Sequence, residues 1–399
     1  MTTVNVDPSD GFAVPSLSER RRAVLAGRRH SGRAVAETEP SRLFYAILLV
    51  ITVLVAMGLV MVLSASSIVS VNNGGSAFTM FRKQLMWAIF GVAIAAGTYR
   101  MPYRTWQKLN KPMLAVVFVL NLLPFTPIGI TVNGARAWVE MGFIRFQPSE
   151  LLKFALIVYL TNNLGRRQRE LTDFKRTFQP ALLAWIVAAG IAMLQSDLGA
   201  AIVLSGIAFT VLYMAGCPVR WIGATAALAL VAGMLYIVSS ASRWSRWTAF
   251  FDIEGNREHT SYQVWQSMLS ISNGGILGVG PGAGTSKWGY VPLAHSDFIF
   301  TVIAEEFGLF GSTLVIGGFF ALAFLGFVVA MKAPDYSGAL LAAGITVWFA
   351  VQAMINIGGV VGAMPVTGLT LPLISYGGSS LLITLGAAGL LLNIARKVS

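Results

Sequence analysis

The sequence lacks most of the side chains that soluble proteins use for metal binding and covalent bridging. Cys217 is its single cysteine, which excludes an internal disulfide framework and a cysteine-rich metal site. The three histidines are too scattered to form a cluster with metal-ligand spacing. Charged residues are also scarce, at 12% of 399 residues, about half of the share typical of a soluble domain.

Apolar residues take the place of the missing charges. They make up 55% of the chain, which nevertheless has a net charge of +12. In a soluble protein this charge would suggest a nucleic-acid partner. Here the basic residues fall mainly into loops on one side of many apolar runs, as they do in membrane proteins. We therefore predict a membrane protein with no nucleic-acid partner.

Ten apolar runs approach the length of about 20 residues that a membrane-spanning helix needs. The second to fourth are short and have Pro112, Pro124 and Pro148 at their ends. The pattern predicts an all-α, polytopic integral membrane protein with ten transmembrane helices, at 43–66, 85–99, 113–126, 150–165, 178–194, 198–216, 221–240, 307–331, 337–358 and 380–395.

The basic residues predict the orientation of these helices. With both termini in the cytoplasm, 20 of the 29 lysines and arginines lie on the inner side, as the positive-inside rule requires. Residues 1–42 are polar and without apolar periodicity, so we expect a disordered cytoplasmic tail before a membrane domain at 43–399. The first run starts at Leu43 and is too long for a signal peptide, so we expect no cleavable leader.

One predicted loop is unusually long. About 60 residues, 241–304, separate helices seven and eight on the outer side, and they are rich in tryptophan, tyrosine and phenylalanine. Long loops in compact proteins are usually either functional or disordered. The aromatic content argues against disorder, so we expect this loop to pack against the membrane face.

Ionisable residues inside spans are rare and usually face the protein interior or a water-filled cavity. Glu150 and Lys153 share one face of helix four, and Asp197 lies at the outer turn between helices five and six. A buried ion-pair set that locks the helices together is the main interpretation of these three residues. We interpret Glu305 and Glu306 as groups at a helix interface or at the boundary between membrane and water. Glu306 is a secondary functional candidate.

Asp297 is the strongest functional candidate. It lies where the long loop re-enters the membrane, beside His295, and no cation is adjacent in sequence. The glycine-rich stretch at 278–284 resembles a dinucleotide fingerprint only weakly, because no βαβ unit surrounds it. We predict no organic cofactor, and expect a tight outer loop whose backbone amides approach a ligand.

Arginines at the outer ends of helices are candidates for phosphate binding. Arg243 and Arg246 are three residues apart, and guanidinium groups match phosphate oxygens, so this pair could bind a pyrophosphate. Anchoring to lipid headgroups is an equal alternative. Arg136 and Trp138, in the first large outer loop, face the same choice.

Taken together, these motifs resemble the SEDS family, named for shape, elongation, division and sporulation. The similarity runs from about residue 43 to the end, and its last motif resembles the division branch more than the elongation branch. Two positions depart from the family pattern: Ala137 replaces an arginine that is common there, and Leu293 replaces a polar residue. The matching segments are NGARAW (133–138), QPSE (147–150) with Lys153, QSDLG (195–199), the 262–267 segment, Gly274 and Gly275, AHSDFIF (294–300), EEFG (305–308) and LPLISYGGSS (371–380).

The resemblance implies a peptidoglycan glycosyltransferase that polymerises lipid II on the outer face of the cytoplasmic membrane, at the division septum. It implies that Asp297 is the catalytic carboxylate and general base of an inverting transfer, and that Lys153 pairs with Asp197 beneath the cavity. Gln263, His295 and Ser375 are implied substrate contacts. A divalent cation, Mg or Mn, is a candidate cofactor. The implied partners are a class B penicillin-binding protein transpeptidase and the division activator complex.

Three alternatives remain at this point. A flippase for lipid-linked sugars is compatible with ten spans and polar residues inside the membrane, although alternating access would place such residues on both sides of the midplane. A scaffold that only recruits a transpeptidase would leave Asp297 without a role. A member of the elongation branch would perform the same chemistry in another process.

Overall fold

The computed structural model describes residues 40–132, 134–142 and 144–398. Most of the predicted tail, residues 1–39, lies outside the described residues. Each predicted apolar run overlaps a helix of the structure. The helices are α1 (Arg42–Asn72), α2 (Thr79–Arg100), α3 (Tyr103–Lys108), α4 (Asn110–Leu120), α5 (Pro148–Arg166), α6 (Gln179–Leu194), α7 (Leu198–Met214), α8 (Val219–Val238), α9 (Ala241–Phe251), α10 (Tyr262–Gly274), α11 (Ile299–Lys332), α12 (Tyr336–Val360) and α13 (Gly378–Ala395).

The predicted helical membrane architecture is confirmed in its coarse form. Among the described residues, six helices are long and apolar enough to cross a membrane: α1, α6 with the π-turn before it, α8, α11, α12 and α13. Helices α4 and α7 are apolar but shorter. The count of ten crossings and the side of each terminus stay predictions.

The loop between α4 and α5 contains a small sheet, so the prediction of an all-α chain is wrong for this segment. Strands β1 (Gly129–Val132), β2 (Ala135–Met141) and β3 (Ile144–Phe146) form an antiparallel sheet in the order β1-β2-β3. Ala137 and Val139 of β2 point inward and are buried. Gly134 and Gly142 adopt positive φ at the two connections, which glycine does without steric cost.

The long loop predicted at 241–304 is ordered, as its aromatic content indicated. It contains α9, α10 and the beginning of α11. Helix α11 starts at Ile299, eight residues before the predicted span, and bends at Gly308, where φ is 60° and ψ is −149°. The predicted span therefore corresponds to the part of α11 after this kink.

Helices α12 and α13 form the centre of the bundle. Both are buried along most of their length, whereas α8 is almost entirely exposed. Helix α13 packs closely on α2, where a side chain at Gly389 would collide with the backbone of Ala95. The start of α5, the end of α12 and the start of α11 meet in one region, which contains Asp297.

Candidate functional site

Asp297 lies in the turn that precedes α11. The turn is closed by hydrogen bonds from the Ser296 and Phe298 amides to the Leu293 carbonyl, at 3.0 and 3.4 Å. Leu293 has a φ of 58°, a left-handed conformation that is costly for leucine and persists only where packing enforces it. Asp297 is half-buried and lines a shallow cleft between the end of α12 and the 366–369 segment.

Asn356 of α12 holds both sides of this cleft together. Its side-chain amide donates to the backbone carbonyls of Asp297, at 2.8 Å, and Leu369, at 2.6 Å. Its amide oxygen is buried and has no hydrogen-bond partner among the described residues. One side chain thus fixes the backbone of the candidate base and presents an unused acceptor within the cleft.

The surroundings of Asp297 favour its neutral form. Burial, with a smaller contribution from the negative charge of Asp197, raises the pKa of Asp297 to about 7, while a hydrogen bond from Ser296 opposes the shift. A group that titrates near the working pH is well matched to general acid–base catalysis. The effect of Asp197 also indicates that the two carboxylates lie near each other.

The ion pair differs from the one that the family resemblance implied. Lys153 is fully buried and its ammonium donates to Glu150, at 2.8 Å, and to the side-chain oxygen of Gln352, also at 2.8 Å. Asp197 instead accepts hydrogen bonds from the Ala200 amide, at 2.8 Å, and from Gln147, at 3.2 Å. Asp197 is the N-cap of α7, which occupies its carboxylate locally and explains why the direct partner of Lys153 is Glu150.

Gln352 connects this ion pair to the cleft. Its side-chain oxygen also accepts from the Trp348 indole at 2.8 Å, and its amide donates to the Thr370 carbonyl at 2.9 Å. Thr370 directly follows the 366–369 segment that faces Asp297. The buried pair of Glu150 and Lys153 therefore supports the wall of the cleft.

Two of the residues implied as substrate contacts lie in the turns around Asp297. The Ser375 hydroxyl donates to the Ser296 carbonyl at 2.6 Å and accepts from the Leu371 amide at 2.8 Å, so its bonds join two loops of the protein. The His295 ring packs edge-on against Tyr376, with centroids 5.6 Å apart. Burial lowers the pKa of His295, and its Nδ1 has no hydrogen-bond partner among the described residues.

Of the three candidate phosphate-binding arginines, two have partners within the fold. Arg136 donates to the Pro124 carbonyl at 2.8 Å. Arg243 donates to the Tyr236 carbonyl at 3.1 Å and lies 3.8 Å above the ring of the same tyrosine. Arg246 is exposed, beside the hairpin tip at Gly134, and has no hydrogen bond or ion pair with any residue that the structure describes.

The hairpin and α10 border the same region. The amide of Arg136 donates to the Gln195 carbonyl at 2.9 Å, which places β2 on the turn that contains Asp197, with Trp138 half-buried on this strand. Gln263 is half-buried on α10, one turn before Ser267, whose hydroxyl donates to the Val360 carbonyl at 2.8 Å. Both elements thus adjoin the cleft, but among the described residues neither Trp138 nor Gln263 forms a hydrogen bond with Asp297.

The glycine-rich loop, residues 278–284 with Thr285 and Ser286 after them, binds carboxylates of the protein itself, so the expectation that its amides approach a ligand is wrong. The amides of Thr285 and Ser286 donate to Glu305, at 2.9 and 3.0 Å. The amide of Gly282 donates to Glu306 at 2.9 Å. Glu306 is buried and further bound by Lys287, at 2.9 Å, and by Ser64 of α1, at 2.6 Å, which leaves it no free oxygen for catalysis.

A metal site is not evident in the donor set. The described part of the chain contains no group of three His, Cys, Asp or Glu side chains that could hold an ion. Asn356 and Gln352, both on α12, are the site residues that sequence reasoning missed. The available signal was an amide side chain inside an otherwise apolar helix, since such residues are rare where water is excluded.

Comparison with known proteins is consistent with this geometry. The family model for FtsW, RodA and SpoVE, described as "cell cycle protein", matches residues 44–399. The probable peptidoglycan glycosyltransferase FtsW of Geobacter sulfurreducens is 38% identical and covers 88% of this chain and 95% of its own length. The stage V sporulation protein E of Bacillus subtilis is 36% identical, with coverages of 88% and 96%.

Solved structures agree with the sequence relatives. A chain of a peptidoglycan synthase complex aligns with a TM-score of 0.71 at 28% identity, covering 88% of this chain and 97% of its own. The rod shape determining protein RodA of Thermus thermophilus aligns with a TM-score of 0.65 at 28% identity, covering 88% of this chain and 96% of its own. The family resemblance of the motifs is thereby confirmed, and the chain belongs to the FtsW, RodA and SpoVE family, with FtsW-like character.

Proposed function

We propose that this protein is a peptidoglycan glycosyltransferase that polymerises lipid II into glycan strands during septal wall synthesis, with Asp297 as the general base. The names of its relatives support the activity. The observation that supports the base is the half-buried side chain of Asp297 in the cleft: the backbone carbonyl of this residue accepts a hydrogen bond from Asn356, and the pKa of its carboxyl, about 7, suits proton transfer at neutral pH.

In the proposed reaction, the acceptor lipid II presents its 4-hydroxyl to Asp297. The carboxylate takes the hydroxyl proton, and the oxygen forms a bond to C1 of the donor sugar. The bond between C1 and the pyrophosphate breaks, and undecaprenyl pyrophosphate leaves with the electron pair. One displacement converts an α-linked donor into a β-1,4-linked product, so no covalent enzyme intermediate is needed.

The leaving group determines which other residues are needed. A glycosidase uses a second carboxyl group as general acid, because its leaving group is poor. A pyrophosphate leaves readily once its negative charge is compensated, and Arg246 is the candidate cation because Arg136 and Arg243 are engaged elsewhere. A divalent cation would supply the same compensation, but the described residues provide no three-ligand site for it, so no step here depends on one.

The membrane location follows from the substrate. Lipid II has a polyprenyl tail, and each methylene removed from water contributes about 0.8 kcal/mol. We propose ten crossings with both termini in the cytoplasm, which places the Asp297 cleft at the outer face. A flippase would instead need a polar path through the whole membrane.

The proposed partners are a class B penicillin-binding protein and the division activator complex at the septum. The structural neighbour from a peptidoglycan synthase complex supports a partnered enzyme.

The deciding experiment is polymerisation of labelled lipid II by the purified protein with its cognate transpeptidase, resolved on a gel. We expect Asp297→Asn to lower the rate by roughly 10² to 10⁴. Glu254→Gln, which removes an exposed carboxyl from the same outer loop, is the matched control and should retain activity. Equal glycan ladders from wild type and Asp297→Asn would refute the assignment of Asp297 as the base. No ladder from either protein would favour the flippase alternative, which a lipid II translocation assay would then test.

A further inference from the structure

A second cavity lies at the opposite end of the bundle from Asp297. It has a volume of about 220 Å³ and is bounded by the start of α4, the end of α5 and the start of α6. Arg166, on its rim, follows Glu150 by sixteen residues of α5, which corresponds to about 24 Å along the helix axis. The cavity is therefore separate from the cleft and from its supporting ion pair.

The lining of this cavity is cationic. Lys111, Arg166 and Arg167 line it, and no carboxylate of the described residues does. The acidic residues of the adjoining loop, Glu170 and Asp173, lie 3.9 and 3.8 Å from Arg176. Three positively charged side chains thus line one concave site; Lys111 and Arg166 are exposed at its rim, and Arg167 is half-buried.

Arg167 supplies the most specific indication of a ligand. Its Nη1 is buried and has no hydrogen-bond partner among the described residues. A buried guanidinium nitrogen without an acceptor loses its hydration for no gain, so a missing acceptor is expected. Asn162, Asn163 and Tyr159 add neutral polar groups to the same wall.

The position of the cavity indicates the source of the anion. Pro180 lines it at the start of α6, and Leu183 and Val187, three and seven residues later on the same helix face, are 52% and 44% exposed. An apolar strip thus leads from the cationic pocket along the bundle surface. This is the arrangement expected for a phospholipid, with its phosphate in the pocket and an acyl chain on α6.

We propose that this cavity binds the phosphate of an acidic phospholipid headgroup, with Arg166 and Arg167 as its principal ligands. Guanidinium groups bind phosphate oxygens through paired hydrogen bonds. Basic pockets between membrane helices on the cytoplasmic side are suited to anionic headgroups. Under the proposed topology the pocket faces that side, but binding to it does not depend on the chemistry at Asp297.

The test uses the full-length protein in detergent. Native mass spectrometry measures retention of phosphatidylglycerol and of phosphatidylcholine, and titration with inorganic phosphate tests the soluble alternative. The variant Arg166→Gln/Arg167→Gln empties the pocket of its guanidinium groups. The variant Arg169→Gln/Lys175→Gln removes two exposed positive charges from the same loop without touching the cavity and is the matched control.

We expect phosphatidylglycerol to bind wild type and the control variant equally, and the pocket variant at least about tenfold more weakly, because hydrogen bonds to charged groups are lost. If inorganic phosphate displaces phosphatidylglycerol at the same concentration as the lipid, the cavity binds phosphate, but its ligand is a soluble phosphate and the lipid assignment is overturned. Equal loss in both variants would reduce the effect to general electrostatic attraction and refute the proposal. Failure of wild type to retain any phosphate compound would refute it as well.

If the pocket variant does not elute as a folded protein in gel filtration, Lys111→Gln replaces it in the same comparison. Lys111 is exposed at the cavity rim, so its substitution removes one positive charge without disturbing buried packing. Unchanged lipid retention in a folded Lys111→Gln protein, together with unchanged retention after partial neutralisation by Arg166→Gln alone, would overturn the proposal.

Discussion

Asp297 acquires its properties from burial rather than from a bonded cation. A base must be deprotonated, and burial raises the pKa of this carboxyl to about 7. We therefore predict that the polymerisation rate falls about tenfold for each pH unit below 7 and levels off above pH 8. Initial rates between pH 5.5 and 8.5, with substrate saturating, measure this directly.

The control for the pH profile is lipid II binding, which should change little over the same range. A rate that stays constant down to pH 5 would mean that an ordinary, solvated carboxyl or a different group accepts the proton. In that event the raised pKa would have no catalytic role.

Asn356 is a positioning residue rather than a catalytic one. Asn356→Leu keeps the side-chain volume but leaves the carbonyls of Asp297 and Leu369 without their donor, at about 1–3 kcal/mol each. We predict at least a tenfold lower kcat with a nearly unchanged KM, because the base is displaced while substrate binding surfaces remain.

The comparison for Asn356 is Met354→Leu, an exposed position on the same helix, which should behave as wild type. If Asn356→Leu has a normal kcat and a reduced melting temperature, the amide only holds the helix end in place. Measuring the melting temperature beside kcat also shows whether a lower activity comes from unfolding.

At the scale of elements, the glycine-rich loop is held on α11 by Glu305 and Glu306. Glu306→Gln would leave Lys287 buried without its counter-ion, which we predict to lower the free energy of unfolding by roughly 3–5 kcal/mol. The double variant Glu306→Gln/Lys287→Met should recover much of this loss. Melting temperatures of the purified proteins, with Glu254→Gln as the neutral comparison, test the ion pair.

If the single and double variants were equally unstable, the hydrogen bonds from Ser64 and Gly282 to Glu306 would be the dominant interaction instead. Retained lipid II polymerisation in the folded double variant would agree with a purely structural role for Glu306.

Hydropathy predicts the helices well because each apolar run must be removed from water along its whole length. The sheet at 129–146 escaped prediction because its strands have at most seven residues, so their alternation is too short to stand out. Helices α9 and α10 escaped because they are short, with 11 and 13 residues, and alternate polar with apolar positions, so neither contains a continuous apolar run.

The site was only partly predictable for a related reason. Asp297 was singled out by its position at the end of the long loop, beside His295, whereas Ser375 was implied only by the family resemblance. The hydrogen bonds of Asn356 join residues that are 59 and 13 positions away, and no local pattern indicates such contacts. The family resemblance implied Asp197 as the partner of Lys153, and the sequence does not show that the Asp197 carboxylate caps a helix while Glu150 binds Lys153.

At the scale of the whole molecule, the proposed topology predicts which surfaces reagents reach. In a Cys217→Ser background, Ser76→Cys should react with a membrane-impermeant maleimide on intact cells, whereas Gln168→Cys should react only after permeabilisation. Both positions are exposed, so accessibility from one side is the only difference between them. Labelling of Gln168→Cys from outside would reverse the proposed orientation.

The kink at Gly308 has a mechanical consequence. It separates the short segment of α11 that follows Asp297 from the long shaft that crosses the bilayer, and a side chain at Gly308 would collide with the backbone of Ile276 and Gly278. A helix shaft adapts to a thinner or thicker bilayer mainly by tilting. The kink lies between the long part of α11 and Asp297. When bilayer thickness changes, we therefore expect the long part of α11 to tilt about Gly308 while the position of Asp297 stays the same.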